Sequence, residues 1–196
     1  MRDKTRLVLA SGSPRRDSIL NQLGLKHITI PSRIDERSIK AKNVRTHAKK
    51  LAMLKAGKVA PKFKDSIIIG ADTLVAVNGK VFGKPKDRKD AIRMLCKLSG
   101  RTHQVITALC IIDTRSNKKI VKLVSTSVRF RKLDNQTIRE YVRSGEPLDK
   151  AGAYAIQGKG AALVESINGD FYNVVGLPVP VLLEVLKRLH IRPRSR

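Results

Sequence analysis

LASGSPRR, Leu9 to Arg16, reads as the end of an apolar strand running into a turn and then a helix. Arg6 to Ala10 has the composition of a buried strand, and Pro14 suits the first turn of a helix, where a missing backbone N–H costs nothing. Ser11, Gly12 and Ser13 are small enough for their backbone N–H groups to approach an anion. Ser13 stands as the cap, and Arg15 and Arg16 follow at the positive end of the helix with fork-shaped donors matched to phosphate oxygens. Taken alone, the same residues also fit an ordinary Ser-capped helix carrying two solvated arginines.

Outward from this stretch, strands and helices alternate without a linker, repeat or low-complexity segment. The first helix places Ile19, Leu20 and Leu23 ahead of a stop at Gly24, and Ile28 to Ile30 is a short strand. A longer helix is predicted over Asn43–Val59, a mostly buried strand over Ser66–Val77, and a helix over Asp87–Leu98 closed by Gly100. His103–Asp113 and Ile120–Phe130 read as paired strands across the turn TRSNKK. Asp134 caps another helix and Pro178 opens the last. The expectation is one mixed α/β domain over residues 1–196. A chain of this length buries about 70% of its unfolded surface and needs no staples.

Cys96 and Cys110 lack metal-ligand spacing and read as buried thiols in a reducing compartment. Charged residues reach Arg6 and the following apolar run stops within a few residues, so a signal peptide and a membrane span are not expected. The expected location is the cytoplasm. The net charge of +25 points to polyanions, but Lys and Arg are spread along the whole chain and aromatic residues are only 4%. That pattern lacks a stacking platform for bases and serves equally to steer a free nucleoside triphosphate. The expectation is at most nonspecific binding to nucleic acid.

Polar residues interrupt apolar patterns at several places. In SIIIGADTLVAV, Ser66 to Val77, Asp72 and Thr73 break a strand expected inside the sheet, and a carboxylate there must be paired, hydrogen-bonded or bound to a cation. A structural aspartate held by a neighbouring Lys or Arg fits as well as a ligand does. Asp35 and Glu36 follow Pro31 and offer further oxygens, although such a pair is commonly an exposed loop. If Glu36 and Asp72 share one cleft, they form a hard-oxygen site suited to magnesium, which takes one or two carboxylates plus substrate phosphates. Lys55 falls within the stripe Val44, Ala48, Leu51, Ala52, Val59, so it either snorkels to an edge or aims into a cleft. Lys84 sits between Gly83 and Pro85 in a rigid turn before a helix, where a solvated lysine is the alternative. Gln157, in the glycine-flanked AYAIQGKG, either presents its amide to a base or braces its own loop. Oxygen ligands with flanking cations are the parts a metal-assisted phosphoryl reaction needs.

Along almost its whole length the chain resembles a Maf-type nucleotide pyrophosphatase. The resemblance rests on LASGSPRR, IDE at Ile34–Glu36, LAMLKA around Lys55, GADTLV around Asp72, GKPKD around Lys84, LSGRTHQVITAL from Leu98, and GEPLDKAGAYAIQG followed by INGDFYNVVGLPV. It implies an elongated, twisted mixed sheet flanked by helices, related to the inosine triphosphate pyrophosphatases, with an active-site cleft between two lobes. It also implies a homodimer, and a hydrolase that cleaves between the α and β phosphates with Mg2+ or Mn2+. Arg16, Glu36, Lys55, Asp72 and Lys84 match positions shared by the whole family. Arg15, Thr73 and Gln157 are similar to the branch acting on dTTP and UTP. On this likeness Asp72 and Glu36 hold the metal, and Lys55 and Lys84 complete the catalytic set. Ser11, Arg15, Arg16, Thr73 and Gln157 bind a pyrimidine triphosphate, ordinary or modified, in a house-cleaning reaction. A basic nucleic-acid-binding or cell-division regulatory protein keeping the fold is the alternative. Two departures from the family pattern are the short, basic stretch between Glu36 and Lys55 and Ala155 in place of a common Gly.

Overall fold

The computed structural model describes residues 5–39 and 41–191. It is a mixed α/β chain built on a seven-stranded sheet in the order β2-β1-β3-β5-β6-β7, with β4 paired to β3. The strands are β1 Arg6–Leu9, β2 His27–Thr29, β3 Ser66–Val77, β4 Lys80–Phe82, β5 Thr102–Asp113, β6 Lys118–Phe130 and β7 Val164–Asn168. The helices are α1 Pro14–Gln22, α2 Val44–Val59, α3 Arg88–Leu98, α4 Asn135–Arg143, α5 Phe171–Val175 and α6 Val179–Arg188. The described residues divide into two compact units, the first falling within residues 1–72, 107–123 and 176–196 and the second within residues 73–106 and 124–175.

In the first unit, β1 lies parallel to both its neighbours, with Leu7 opposite His27 of β2 and Ile67 of β3. Strands buried on both faces read as continuous apolar runs, which is why RLVLA and SIIIGA lack alternation. Leu9, Leu20, Ile67, Ile68 and Ile69 are among the largest fully buried side chains. Helix α2 lays Ala48, Leu51, Ala52, Ala56 and Val59 against this core. Asn43 stands one residue outside α2 as its cap, accepting a hydrogen bond from Thr46 N–H at 2.9 Å. Ser13 occupies the corresponding position of α1 but makes no side-chain capping bond. Its own N–H donates to Ser11 Oγ at 3.2 Å instead.

The second unit has its own core, in which Leu95 and Leu98 of α3, Ile138 and Tyr141 of α4, Val128 and Phe130 of β6 and Tyr154 come together. Asp87 and Asp134 cap α3 and α4 through hydrogen bonds from Asp90 N–H and Thr137 N–H. Asn78 and Gly79, both with positive φ, make the two-residue turn that brings β4 antiparallel onto β3. Of the two cysteines expected to be buried, Cys110 is, whereas Cys96 is exposed. Cys96 follows buried Leu95 on α3, and one step of 100° round the helix carries it off the core face.

Candidate functional site

The cluster of charge in the first unit begins with the loop after β1. Ser11 is buried, and its Oγ accepts from Ser13 N–H and from Arg16 Nη1, both at 3.2 Å. Arg16 is buried too, and its Nε donates to Gly176 O at 2.7 Å. Its guanidinium therefore holds the Ser11 loop to a segment far away in sequence. Burial pulls its pKa down from the ordinary value, partly offset by the negative charge of Asp72. Arg15, next along α1, is half-buried.

Asp72 lies at the end of this unit's share of β3 and is 4% exposed. Lys55, on the core-facing stripe of α2, reaches it with Nζ 2.6 Å from Oδ1. The same ammonium lies 2.8 Å from Glu36 Oε1, at the start of a short 3-10 turn. One buried lysine thus gathers two carboxylates, and both readings of Asp72 meet here, because it is held by a neighbouring lysine. What a purely structural pair does not explain is the other oxygen. Asp72 Oδ2 is buried and, among the described residues, has no hydrogen-bond partner. An unsatisfied buried acceptor costs free energy and calls for a partner such as a water or a cation. Burial raises the Asp72 pKa above the ordinary carboxylate value, while the charges of Lys55 and Arg16 pull it back.

The reach of Lys55 depends on Gly70, two residues before Asp72 on β3. A Cβ on Gly70 would meet Ala52 O and Ala56 N of α2, so only a glycine lets the helix lie this close to the strand. GADTLV carried that signal, but the strand pattern alone does not say which backbone approaches it. Among the described residues no three His, Cys, Asp or Glu side chains converge as a metal-binding group. The pair Asp72 and Glu36, with one buried oxygen unengaged, fits a magnesium-type cation that takes its remaining ligands from water and substrate phosphates.

The second unit holds Thr73, Lys84 and Gln157. Thr73 is half-buried on β3, and Lys84 is exposed. The turn carrying Lys84 is fastened behind it, where Lys86 N–H donates to Asp90 Oδ2 at 3.0 Å. That bond, with one from Arg93, holds the Asp90 carboxyl below the usual range. Gln157 is exposed, and among the described residues its side chain makes no hydrogen bond. Ala155 has no positive φ and needs no glycine.

A family model described as Maf-like protein matches residues 6–189. A protein of Aquifex aeolicus named "dTTP/UTP pyrophosphatase" is 47% identical over 186 residues, covering 95% of this chain and 96% of that one. Proteins with the same name from Symbiobacterium thermophilum and Dictyoglomus thermophilum are 45% and 43% identical, covering 92% and 95% of this chain and 92% and 97% of theirs. Among solved structures, the Staphylococcus aureus Ham1 protein aligns with a TM-score of 0.46 at 16% identity, over 64% of this chain and 72% of that one.

Proposed function

We propose that this chain, which belongs to the Maf family, hydrolyses dTTP and UTP to the monophosphate and pyrophosphate. The observation that carries the reading is the buried Asp72, with one oxygen on Lys55 and the other without a hydrogen-bond partner among the described residues. In this reaction a water oxygen forms a bond to the α-phosphorus, the bond from that phosphorus to the α–β bridging oxygen breaks, and pyrophosphate leaves. Asp72 takes the proton from the water, a role its raised pKa suits, since a more basic carboxylate is the better acceptor. Lys55 keeps Asp72 and Glu36 oriented and places positive charge beside the phosphates. Ser11, with its oxygen engaged by Ser13 and Arg16, has its hydroxyl proton left for a phosphate oxygen.

A divalent cation, Mg2+ or Mn2+, held by Asp72 and Glu36 would neutralise charge developing on the phosphate oxygens. We assign Arg15, Arg16 and Lys84 to the triphosphate and Thr73 and Gln157 to the pyrimidine nucleoside. The amide of Gln157 offers both a donor and an acceptor to the O4 and N3–H edge of uracil or thymine. Residues 1–196 act as one functional domain, in the cytoplasm and as a homodimer. Among the described residues no helix is long and apolar enough to cross a membrane.

The test is a screen of nucleoside triphosphates with the purified full chain and either metal, with products identified by chromatography. UTP and dTTP are expected to yield the monophosphate and pyrophosphate, with turnover abolished by a chelator and restored by added metal. Release of orthophosphate and the nucleoside diphosphate would refute the assignment.

A further inference from the structure

Among the described residues the Gln157 side chain makes no hydrogen bond, yet the backbone on either side of it is tied down within the second unit. On one flank, Ala155 N–H donates to Tyr141 Oη at 3.2 Å. On the other, Lys159 N–H donates to Glu146 Oε2 at 3.1 Å and Gly160 N–H to Glu146 Oε1 at 3.0 Å. The two anchors are joined, because Tyr141 Oη donates to Glu146 Oε1 at 3.0 Å. The glycines of the loop make room for this arrangement. A Cβ on Gly158 would lie 2.8 Å from Glu146 Oε2, and one on Gly160 would lie 2.7 Å from Tyr141 Oη and 2.3 Å from Ala155 O. An ionised carboxylate accepting from backbone N–H groups makes hydrogen bonds about twice as strong as neutral ones. Glu146 is thus placed to hold the loop in one shape while leaving the Gln157 amide exposed.

We propose that Glu146, with Tyr141, is a positioning residue that sets base selectivity by fixing the loop that presents Gln157. The inference rests on the reading of Gln157 as the residue that meets the base. A loop held at both flanks presents the amide in one orientation, and the ordering entropy is met in folding rather than on substrate binding. A looser loop lets the amide swing, so the uracil edge loses its advantage over a purine.

The experiment measures kcat and KM for UTP and ATP in the full chain and in E146Q, Y141F, Q157A and the double variant E146Q/Q157A. Glutamine at position 146 is isosteric, but its NH2 group cannot accept the N–H that the lost oxygen held. Y141F removes both the donor to Glu146 and the acceptor of Ala155 N–H. Each of these is expected to lower the ratio of kcat/KM for UTP over ATP about tenfold, the worth of roughly one hydrogen bond, through KM for UTP. The double variant is expected to lose no more selectivity than Q157A, because Glu146 acts through Gln157. If E146Q and Y141F lower both substrates in proportion while Q157A abolishes selectivity, the clamp is overturned and the base reading stands. Additive losses in the double variant overturn the clamp likewise. If Q157A itself leaves selectivity intact, the base reading fails and the clamp with it. Should E146Q not fold, Y141F decides by the same criteria.

Discussion

A Cβ built on Gly70 would lie 2.5 Å from the carbonyl oxygen of Ala52, so helix α2 rests on the bare backbone of β3. Gly70 and Asp72 are two apart on the strand and share a face, and Lys55 follows Ala52 by about one turn of the helix. The missing side chain therefore sets the distance at which Lys55 Nζ meets Asp72 Oδ1, 2.6 Å.

Substituting Gly70→Ala forces backbone against backbone, which no rotamer change relieves. The expected cost is about 1–3 kcal/mol of stability, with lower turnover because Lys55 is lifted from Asp72. Urea unfolding and steady-state kinetics check both, and a variant with unchanged stability and rate would show that the close approach is incidental.

Asp72→Asn and Lys84→Ala are each expected to lower kcat by roughly 10²-fold with the fold intact, the usual size for losing one transition-state stabiliser. Near-normal turnover at saturating substrate in either variant removes the role assigned to that residue.

Lys55→Met makes a separate prediction about pH. Burial raises the Asp72 carboxyl and the Lys55 ammonium pulls it back, so removing the ammonium raises it further. The acid limb of kcat/KM, which follows ionisation of the base, is expected to move to higher pH. For stability the sign is reversed from that of a salt-bridged surface carboxylate. A carboxyl raised in the folded state binds its proton more tightly there than in the unfolded chain. Its contribution is therefore present at low pH and is lost as pH rises above the ordinary value of 3.8 through the folded one. Lys55→Met is expected to be more destabilised near pH 7 than near pH 4, and an unmoved acid limb would show that Asp72 is not the base.

Lys55 was legible as a charge on a stripe of apolar residues, and Asp72 as a break in an apolar run, because both patterns are local. Arg16 was not legible in its full role, because its partner Gly176 lies 160 positions away and no local pattern contains it. The hairpin at Asn78-Gly79 was signalled by its dipeptide, but β4 is only three residues long and is lost beside the long buried β3. Strand β7, VESIN, shows no clean alternation, since its residues are exposed or half-buried. The clamp on Gln157 joins residues 13 and 14 apart through backbone N–H groups, which carry no sequence signal of their own.

The charge of +25 predicts salt-sensitive contact with polyanions. Binding to DNA or RNA is expected to be indifferent to sequence and to fall steeply with added salt, as counterion release requires. Titrations of unrelated duplexes at several salt concentrations check this, and tight sequence-specific binding at physiological salt would contradict it.

His103 makes the last prediction. It is buried against Phe130 and Tyr154, both edge-on, with Nε2 2.7 Å from Tyr154 Oη. Its Nδ1 is buried with no hydrogen-bond partner among the described residues. Protonation would place a charge in this apolar setting, so burial lowers its pKa from 6.5 to about 4. Between those values the unfolded chain holds a proton that the folded chain refuses. The contribution of His103 is therefore complete above pH 6.5 and declines as pH falls through that window, by about 3 kcal/mol at the acid end. His103→Phe leaves the Tyr154 hydroxyl without its nitrogen partner and costs stability at neutral pH, but it removes the titrating group. The expected result is a flatter dependence of unfolding free energy on pH between 6.5 and 4 in the variant, measured by urea unfolding. An equal slope in both proteins would show that the acid sensitivity comes from other groups.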